Sequence, residues 1–407
     1  MKLLRHLSRV TSTGRVLLPQ IDGLRFIAIM AVIAFHVSLI CSFHFGVPHE
    51  SDAATKGVVN KAVDAGHLGV NLFFAISGFI LVLPFARRHL LEASPVSLRA
   101  YFIRRITRLE PPYIIHLGVL FVLCCTVFKR FPSHPALYYT DMPASYAWDH
   151  IFPSLVYANG LLYGAHPYPN IVLWSLEIEV QFYILAPALA LIFMIRQKKF
   201  RRGLLVGLVL VATSVCCLIS PTYDTFYRYG FSLAGNIQYF LTGFLLCDLY
   251  LLEWGVAPRQ NRIWDVLFLS ACGIIIAFQA FATMEIMLPW LIFVICIAAF
   301  KGPLCAKFLG NRWIATIGGM CYTIYMYHLL MISVLIRLTA KLQTHIFWLD
   351  LIIQTAVMSV VIVTSCALLF VLFERPFMQR DWPAKLWAAI RSHTKPPPET
   401  AAAKADL

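Results

Sequence analysis

Apolar runs long enough to cross a lipid bilayer follow one another along almost the whole chain, separated by short polar clusters. A spanning helix needs about 20 mostly apolar residues. Ten segments meet or approach that length: 21–43, 67–85, 113–128, 171–195, 203–219, 231–252, 264–282, 285–300, 314–337 and 349–373. The second and third are short. The seventh and eighth are joined by almost nothing, which predicts a tight hairpin that barely leaves the membrane. The pattern as a whole predicts an all-α polytopic membrane protein with about ten transmembrane helices.

Composition strengthens that reading. Of 407 residues, 59% are hydrophobic and 13% charged, with a mean hydropathy of +0.73. A soluble chain carries about 25% charged residues. This chain has too little polar surface to cover a soluble globule, so the lipid bilayer is its expected solvent. The basic first fifteen residues are not followed by a short apolar stretch with a small-residue cleavage site. A full-length apolar segment begins near Ile21 instead, and no cleaved signal peptide is expected. The eleven cysteines lie mostly inside apolar runs and none forms a CxxC pair. They read as small buried hydrophobes, with neither a disulfide framework nor a metal site.

The net charge of +14 raises nucleic acid as a partner, but the positions of the charges exclude it. They sit in clusters between the apolar runs, which is a topology signal. With the N-terminus inside, segments 1–19, 86–112, 196–202, 253–263, 301–313 and 374–407 hold 26 Lys and Arg residues. The outside segments 44–66, 129–170, 220–230 and 338–348 hold six. Both termini are therefore expected in the cytoplasm, with an even number of helices. The chain divides into a cytoplasmic N-terminal segment (1–19), a transmembrane domain (20–382) and a cytoplasmic tail (383–407). The tail ends in KPPPETAAAKADL and is expected to be largely disordered. There is no internal repeat and no second globular domain. The outside loop 129–170 is the longest and is rich in Tyr, Trp, His, Asp and Pro.

Polar residues inside the spans need a reason, because a charge at the bilayer centre costs about 2.5–3.5 kcal/mol on insertion scales. Arg25 and His36 share the first span, eleven residues apart. That is three helical turns plus only ~20°, so they face one direction about 16 Å apart along the axis. Arg25 lies near the inner end and His36 past mid-membrane. The alternatives are snorkelling for Arg25 and a helix-packing hydrogen bond for His36. In LWSLEIEVQFYIL, Glu177 and Glu179 lie two apart and cannot share a face. Glu177 is assigned to the outer interface and Glu179 to a deeper interior or hydrated position. Tyr322, Tyr325 and His328 recur every three residues and form one hydrogen-bonding face. Asn71 and Ser77 are weakly polar, and Gly78 permits close helix approach. Arg104, Arg105 and Arg108 cluster at the inner surface, either as a topology signal or as a clamp matching phosphate oxygens.

Taken in order, DGLR with His eleven positions after the Arg, FFAISGF, RRITRLEPPY, LWSLEIEVQFY, CYTIYMYH and FERPF resemble the acyltransferase-3 family of membrane O-acyltransferases. The resemblance runs from Asp22 to Phe377 and rests on six motifs in sequence. It implies a roughly ten-helix membrane domain in the bacterial inner (plasma) membrane. Such a domain takes an acyl group, with acetyl favoured, from cytoplasmic acyl-coenzyme A. It passes that group to a hydroxyl of a sugar in a cell-surface or exported glycan, or its lipid-linked precursor. The family's Arg-x10-His pair falls on Arg25 and His36, and its Arg-x-x-Arg element on Arg105 and Arg108. Its Trp-Ser-Leu-x-x-Glu element falls on Trp174, Ser175 and Glu179, and its Tyr-x-x-Tyr-x-x-His element on Tyr322, Tyr325 and His328. Asn71 stands where an acidic residue is frequent, Cys321 where Ser is common, and Val180 where a second acid often follows Glu179. Some family members carry an appended hydrolase-like soluble domain. This chain stops soon after its tenth span, so the membrane domain is expected to bind the acceptor by itself.

The expected machinery is therefore His36, Arg25, Glu179 and His328 as catalytic residues, with Arg104, Arg105 and Arg108 binding the donor. Asp22, Asn71, Ser77, Trp174, Ser175, Tyr322 and Tyr325 support them. Acyl-coenzyme A is a substrate, and no permanently bound cofactor is expected. Its phosphates would dock on the arginines and its arm would reach past Arg25 towards His36. His36 would act as general base on the acceptor hydroxyl or carry the acyl group itself. Glu179 or His328 would orient His36 or stabilise the transition state. Aromatic residues of the 129–170 loop would stack on sugar faces. Polysaccharide-biosynthesis proteins are expected partners. The alternative is a transmembrane carrier that hands the acyl group to a separate transferase. An ordinary secondary transporter predicts repeated halves, which the chain lacks.

Overall fold

The computed structural model describes residues 18–45, 57–126, 144–164, 166–219, 229–254, 258–281, 283–344 and 346–379, together with 7, 382, 384 and 387. Most of the segment 1–19, most of the tail 383–407 and residues 127–143 of the long loop lie outside them.

The described residues are helical throughout their apolar runs, as lipid requires, since a helix satisfies its backbone polar groups internally. The first span is α1 (Pro19–Phe45). The second starts as α2 (Val58–Asp64), passes a 3-10 turn at Ala65–Leu68 and continues as α3 (Gly69–Leu90). Next come α4 (Leu98–Thr126), two shorter helices α5 (Ala144–Leu155) and α6 (Asn159–Tyr163), and α7 (Trp174–Leu189). They are followed by α8 (Lys198–Ile219), α9 (Leu233–Glu253), α10 (Ile263–Phe278) and α11 (Thr283–Lys301). The chain then forms α12 (Pro303–Leu309), α13 (Arg312–Gly319), α14 (Cys321–Thr339) and α15 (Phe347–Leu369), which runs into a π turn at Phe370–Glu374.

Eight of these helices are long and apolar enough to cross a membrane. The two remaining predicted spans are α9, of 21 residues, and α10, of 16. The protein is thus an all-α, multi-pass integral membrane protein. The hairpin expected between the seventh and eighth spans is the α10–α11 pair.

Backbone contact at glycine holds the bundle together. A Cβ at Gly78 on α3 would run into the Phe240 carbonyl of α9, and one at Gly243 would run into the Ala75 carbonyl of α3. The close approach stacks Phe74 on Phe240 at 4.9 Å, and Phe182 of α7 stacks on the same ring at 3.9 Å. Next to this crossing, Asp248 of α9 is fully buried and accepts from Arg201 and Arg202 of α8, both at 2.5 Å.

Three boundaries differ from the sequence expectation. The third span, predicted at 113–128, is α4 and begins fifteen residues earlier, at Leu98. A hydropathy window loses its first half because Arg104, Arg105, Arg108 and Glu110 lie there. Pro111 and Pro112 do not break it. Pro111 has no N–H to give the Thr107 carbonyl, and Trp382 Nε1 donates to that oxygen instead, at 3.0 Å. The ninth span, predicted as one helix over 314–337, is broken at Met320 into α13 and α14. The break lies where Gly318 sits against the backbone of Asp22, too close for any Cβ. It leaves Cys321 and Tyr322 in the first turn of α14. The long loop is structured where it is described. α5 and α6 pack on α4 and α7, with Tyr113 and Tyr157 stacked at 4.5 Å. Tyr157 and Tyr168 are buried, whereas Trp148 is exposed.

Candidate active site

A cavity of about 730 Å³ opens between α1, α3, α4, α7 and α14. This lies within the usual range for ligand sites. Its walls include Arg25 and Asp22 from α1, and Ser77 and Arg87 from α3. α4 supplies Arg104, Arg105 and Arg108, α7 supplies Ser175, Glu179 and Tyr183, and α14 supplies Cys321, Tyr322 and Tyr325. On α3 the lining runs from Arg87 to Phe73, roughly 21 Å at ~1.5 Å per residue. One end, with Arg87, Arg104, Arg105, Arg108 and the 93–97 connection, is basic. The other ends among Phe73, Ser175 and Tyr325.

At the basic end, the three predicted arginines lie within two adjacent turns of α4. Arg105 donates to the Tyr101 carbonyl at 3.0 Å and lies over the Tyr101 ring at 3.5 Å, so its planar head is held flat. Arg108 pairs with Glu374 at 3.7 Å. Glu374 is buried and also accepts from Thr323 Oγ1 of α14 at 2.5 Å. The FERPF string therefore ties the π turn at the end of α15 to the cavity wall. Arg87, absent from the sequence expectation, completes the basic rim.

Midway along the cavity, Arg25 donates to Asp22 at 2.6 Å, one turn back on α1. Glu179 accepts from Ser77 Oγ at 2.7 Å and from the Tyr183 hydroxyl at 2.6 Å. This explains why Glu179 faces inward, since both partners line the same wall. Ser175 Oγ lies 2.6 Å from the Tyr325 hydroxyl, which donates to the Val172 carbonyl at 2.7 Å. Tyr325 has only one proton, so Ser175 is the donor to it. The Tyr322 hydroxyl donates to the Leu109 carbonyl at 3.0 Å and locks α14 to α4.

His36 and His328 sit beyond the Tyr325 end and do not line the cavity. The ring of His328 is 5.6 Å from that of Tyr325, centroid to centroid. Its Nδ1 lies 2.7 Å from the Tyr325 carbonyl, and its Nε2 lies 3.2 Å from His36 Nδ1. His36 Nδ1 is also 2.9 Å from the Val32 carbonyl. Carbonyl oxygens only accept. In neutral rings, both Nδ1 atoms must then carry the proton, and His328 Nε2 accepts from His36. That assigns the lone pair of His36 to Nε2. The two aligned residues of α1 thus divide. Arg25 faces the cavity, and His36 is linked to the cavity-lining Tyr325 through His328.

Other predicted residues lie elsewhere. Asn71 is half-buried on α3 and does not line the cavity. Trp174 packs on Phe231 at 4.9 Å and on Phe74 at 6.2 Å, as a core residue beside Ser175. Glu177, assigned to the outer interface, is instead buried at 1% exposure. It accepts from the backbone N–H groups of Asn159 and Gly160 at 3.3 and 2.8 Å. These are unsatisfied donors at the start of α6, so Glu177 anchors that helix from α7. Of the two residues expected to contact His36, His328 does so and Glu179 does not. Tyr183 and Glu374 were not singled out in the sequence. The i, i+4 spacing of Glu179 and Tyr183 could have found the first. Among the described residues, no group of three or more His, Cys, Asp or Glu is placed to hold a metal ion.

A family described as an acyltransferase domain matches residues 18–371. The peptidoglycan O-acetyltransferase OatA of Listeria monocytogenes is 29% identical over 215 residues, covering 51% of this chain and 30% of that protein. The O-acetyltransferase OatA of Staphylococcus aureus is 24% identical over 340 residues, covering 76% of this chain and 50% of that protein. The chain therefore spans half or less of the length of these relatives. No solved structure matches it.

Proposed function

The chain belongs to the acyltransferase-domain family, and from that premise we propose that it moves an acyl group, acetyl by preference, from acyl-coenzyme A to a hydroxyl of a cell-envelope glycan. The carrying observation is a cavity with arginines at one end and the Tyr325–His328–His36 hydrogen-bonded series at the other. The basic end suits the donor's phosphates. The interior, where Phe73, Phe74, Ile80 and Leu81 stand beside Ser77 and Glu179, suits a pantetheine arm that carries amides on an apolar chain. In this reading both termini lie in the cytoplasm, the membrane is the bacterial inner membrane, and the basic end faces the donor pool. The similarity to a peptidoglycan O-acetyltransferase of Listeria favours a cell-wall glycan as acceptor.

The chemistry follows from the tautomers. The acceptor oxygen attacks the thioester carbonyl carbon while His36 Nε2 takes the hydroxyl proton. The C–S bond breaks, and the departing thiolate receives that proton from His36. During the step the ring carries positive charge, and its Nδ1–H is held by the Val32 carbonyl and His328 Nε2. His328 is thus a positioning residue for His36. Arg25 and Cys321 line the path that the donor's arm would take towards His36.

Mass spectrometry of envelope glycans from cells with and without the protein tests this reading. Loss of an acyl mass from one glycan class supports it, and identical glycan spectra contradict it. Purified protein given acetyl-coenzyme A and that glycan separates the two roles. Product without a partner supports a complete transferase, whereas an acyl group that crosses without transfer supports the carrier reading.

A further inference from the structure

Arg87 is the cavity-lining arginine that neither the motifs nor the mechanism uses. Its neighbour Arg88 ties down the following connection by donating to the Ala93 carbonyl at 3.0 Å. Among the described residues, the Arg87 guanidinium has no hydrogen-bond or ion-pair partner, although it is half-buried and lines the cavity. Arg105 and Arg108 are fixed by Tyr101 and Glu374. Arg87 alone of these three has all its donors available.

Its place also differs. Arg87 is three residues from the end of α3, roughly 5 Å along the axis, whereas Arg104 to Arg108 lie six to ten residues from the start of α4, roughly 9–15 Å along it. The end of α3 and the start of α4 are joined by residues 91–97, part of which also lines the cavity. Two groups of arginine on two helices lining one cavity match a ligand with two separated phosphate groups. Coenzyme A is such a ligand. Its pyrophosphate leads into the pantetheine arm, and its 3′-phosphate hangs from the ribose at the far end from sulfur. Given the donor assigned under Proposed function, on which this rests, we propose that Arg87 binds the 3′-phosphate while the α4 arginines take the pyrophosphate. Arg87 then makes the enzyme selective for coenzyme A over donors lacking that phosphate.

The test compares coenzyme A with 3′-dephospho-coenzyme A in binding to detergent-purified full-length protein. Wild type should prefer coenzyme A by about tenfold or more, the worth of one charge-assisted hydrogen bond. Arg87→Gln should lose that preference, binding coenzyme A about tenfold more weakly and the dephospho form unchanged. Arg99→Gln, an exposed charge outside the cavity, should keep wild-type preference, and equal thermal midpoints exclude misfolding. Equal weakening of both ligands in Arg87→Gln, or of neither, overturns the subsite but leaves the donor standing. Failure of wild type to bind either ligand overturns the donor and the subsite together. Unchanged preference in Arg87→Gln, with stabilisation by phosphatidylglycerol lost, would hand Arg87 to a lipid headgroup and overturn the assignment.

Discussion

Removing the Arg108 side chain is expected to destabilise the fold as well as weaken donor binding, and the two effects can be separated. Glu374 is 1% exposed and lies 3.7 Å from Arg108. At an effective dielectric of about 20, unit charges at that distance attract by about 4–5 kcal/mol. The Arg108 side chain is 35% exposed, so solvent screening removes roughly half of this. Arg108→Ala leaves the carboxylate buried without its counter-charge, at a net cost of about 2 kcal/mol. The thermal midpoint should fall by a few degrees. A thiol-reactive dye reads the transition through the free cysteines, several of which are buried. Adding Glu374→Gln removes the stranded charge while keeping an acceptor for Thr323. The double variant should regain most of the midpoint, and its affinity for acetyl-coenzyme A should stay reduced. A wild-type midpoint in Arg108→Ala, or a double variant no more stable than the single, would refute the coupling.

Three further outcomes follow. Gly78→Ala should cost about 1–3 kcal/mol by forcing α3 from α9, whereas Gly118→Ala, with nothing near its Cβ, should be neutral or gain up to about 1 kcal/mol; equal thermal midpoints would contradict the close crossing. Glu177→Ala should strand the Asn159 and Gly160 N–H groups, at about 1–3 kcal/mol each, and speed their hydrogen exchange. Unchanged exchange there would mean that Glu177 does not anchor α6. Glu179→Gln keeps an acceptor for Ser77 and Tyr183, so the midpoint should stay within about a degree while turnover falls about tenfold or more through the lost charge opposite Arg25; normal turnover would reduce Glu179 to a packing acceptor.

The spans were legible because lipid demands long apolar helices whatever their neighbours. Of the face expected from Tyr322, Tyr325 and His328, the two tyrosines line the cavity and His328 does not. What needed the structure depends on residues distant in the chain. Nothing local says that Glu177 turns towards α6 rather than the outer interface, because the two donors that hold it come from another segment. Glu374 stands within FERPF, yet its role comes from Arg108 and Thr323. The break at Met320 reflects the backbone of α1 pressing on Gly318, which a hydropathy window cannot register. Arg25 and His36 do share a helix, but only Arg25 lines the cavity.

The central claim is that His36 Nε2 is the base that the cavity leads to. Its most direct test is acyl transfer from labelled acetyl-coenzyme A to envelope glycan by His36→Ala in membranes, at matched protein level and thermal midpoint. The account predicts that transfer falls by about 10²–10⁴-fold while coenzyme A binding is retained. Transfer at the wild-type rate would contradict it.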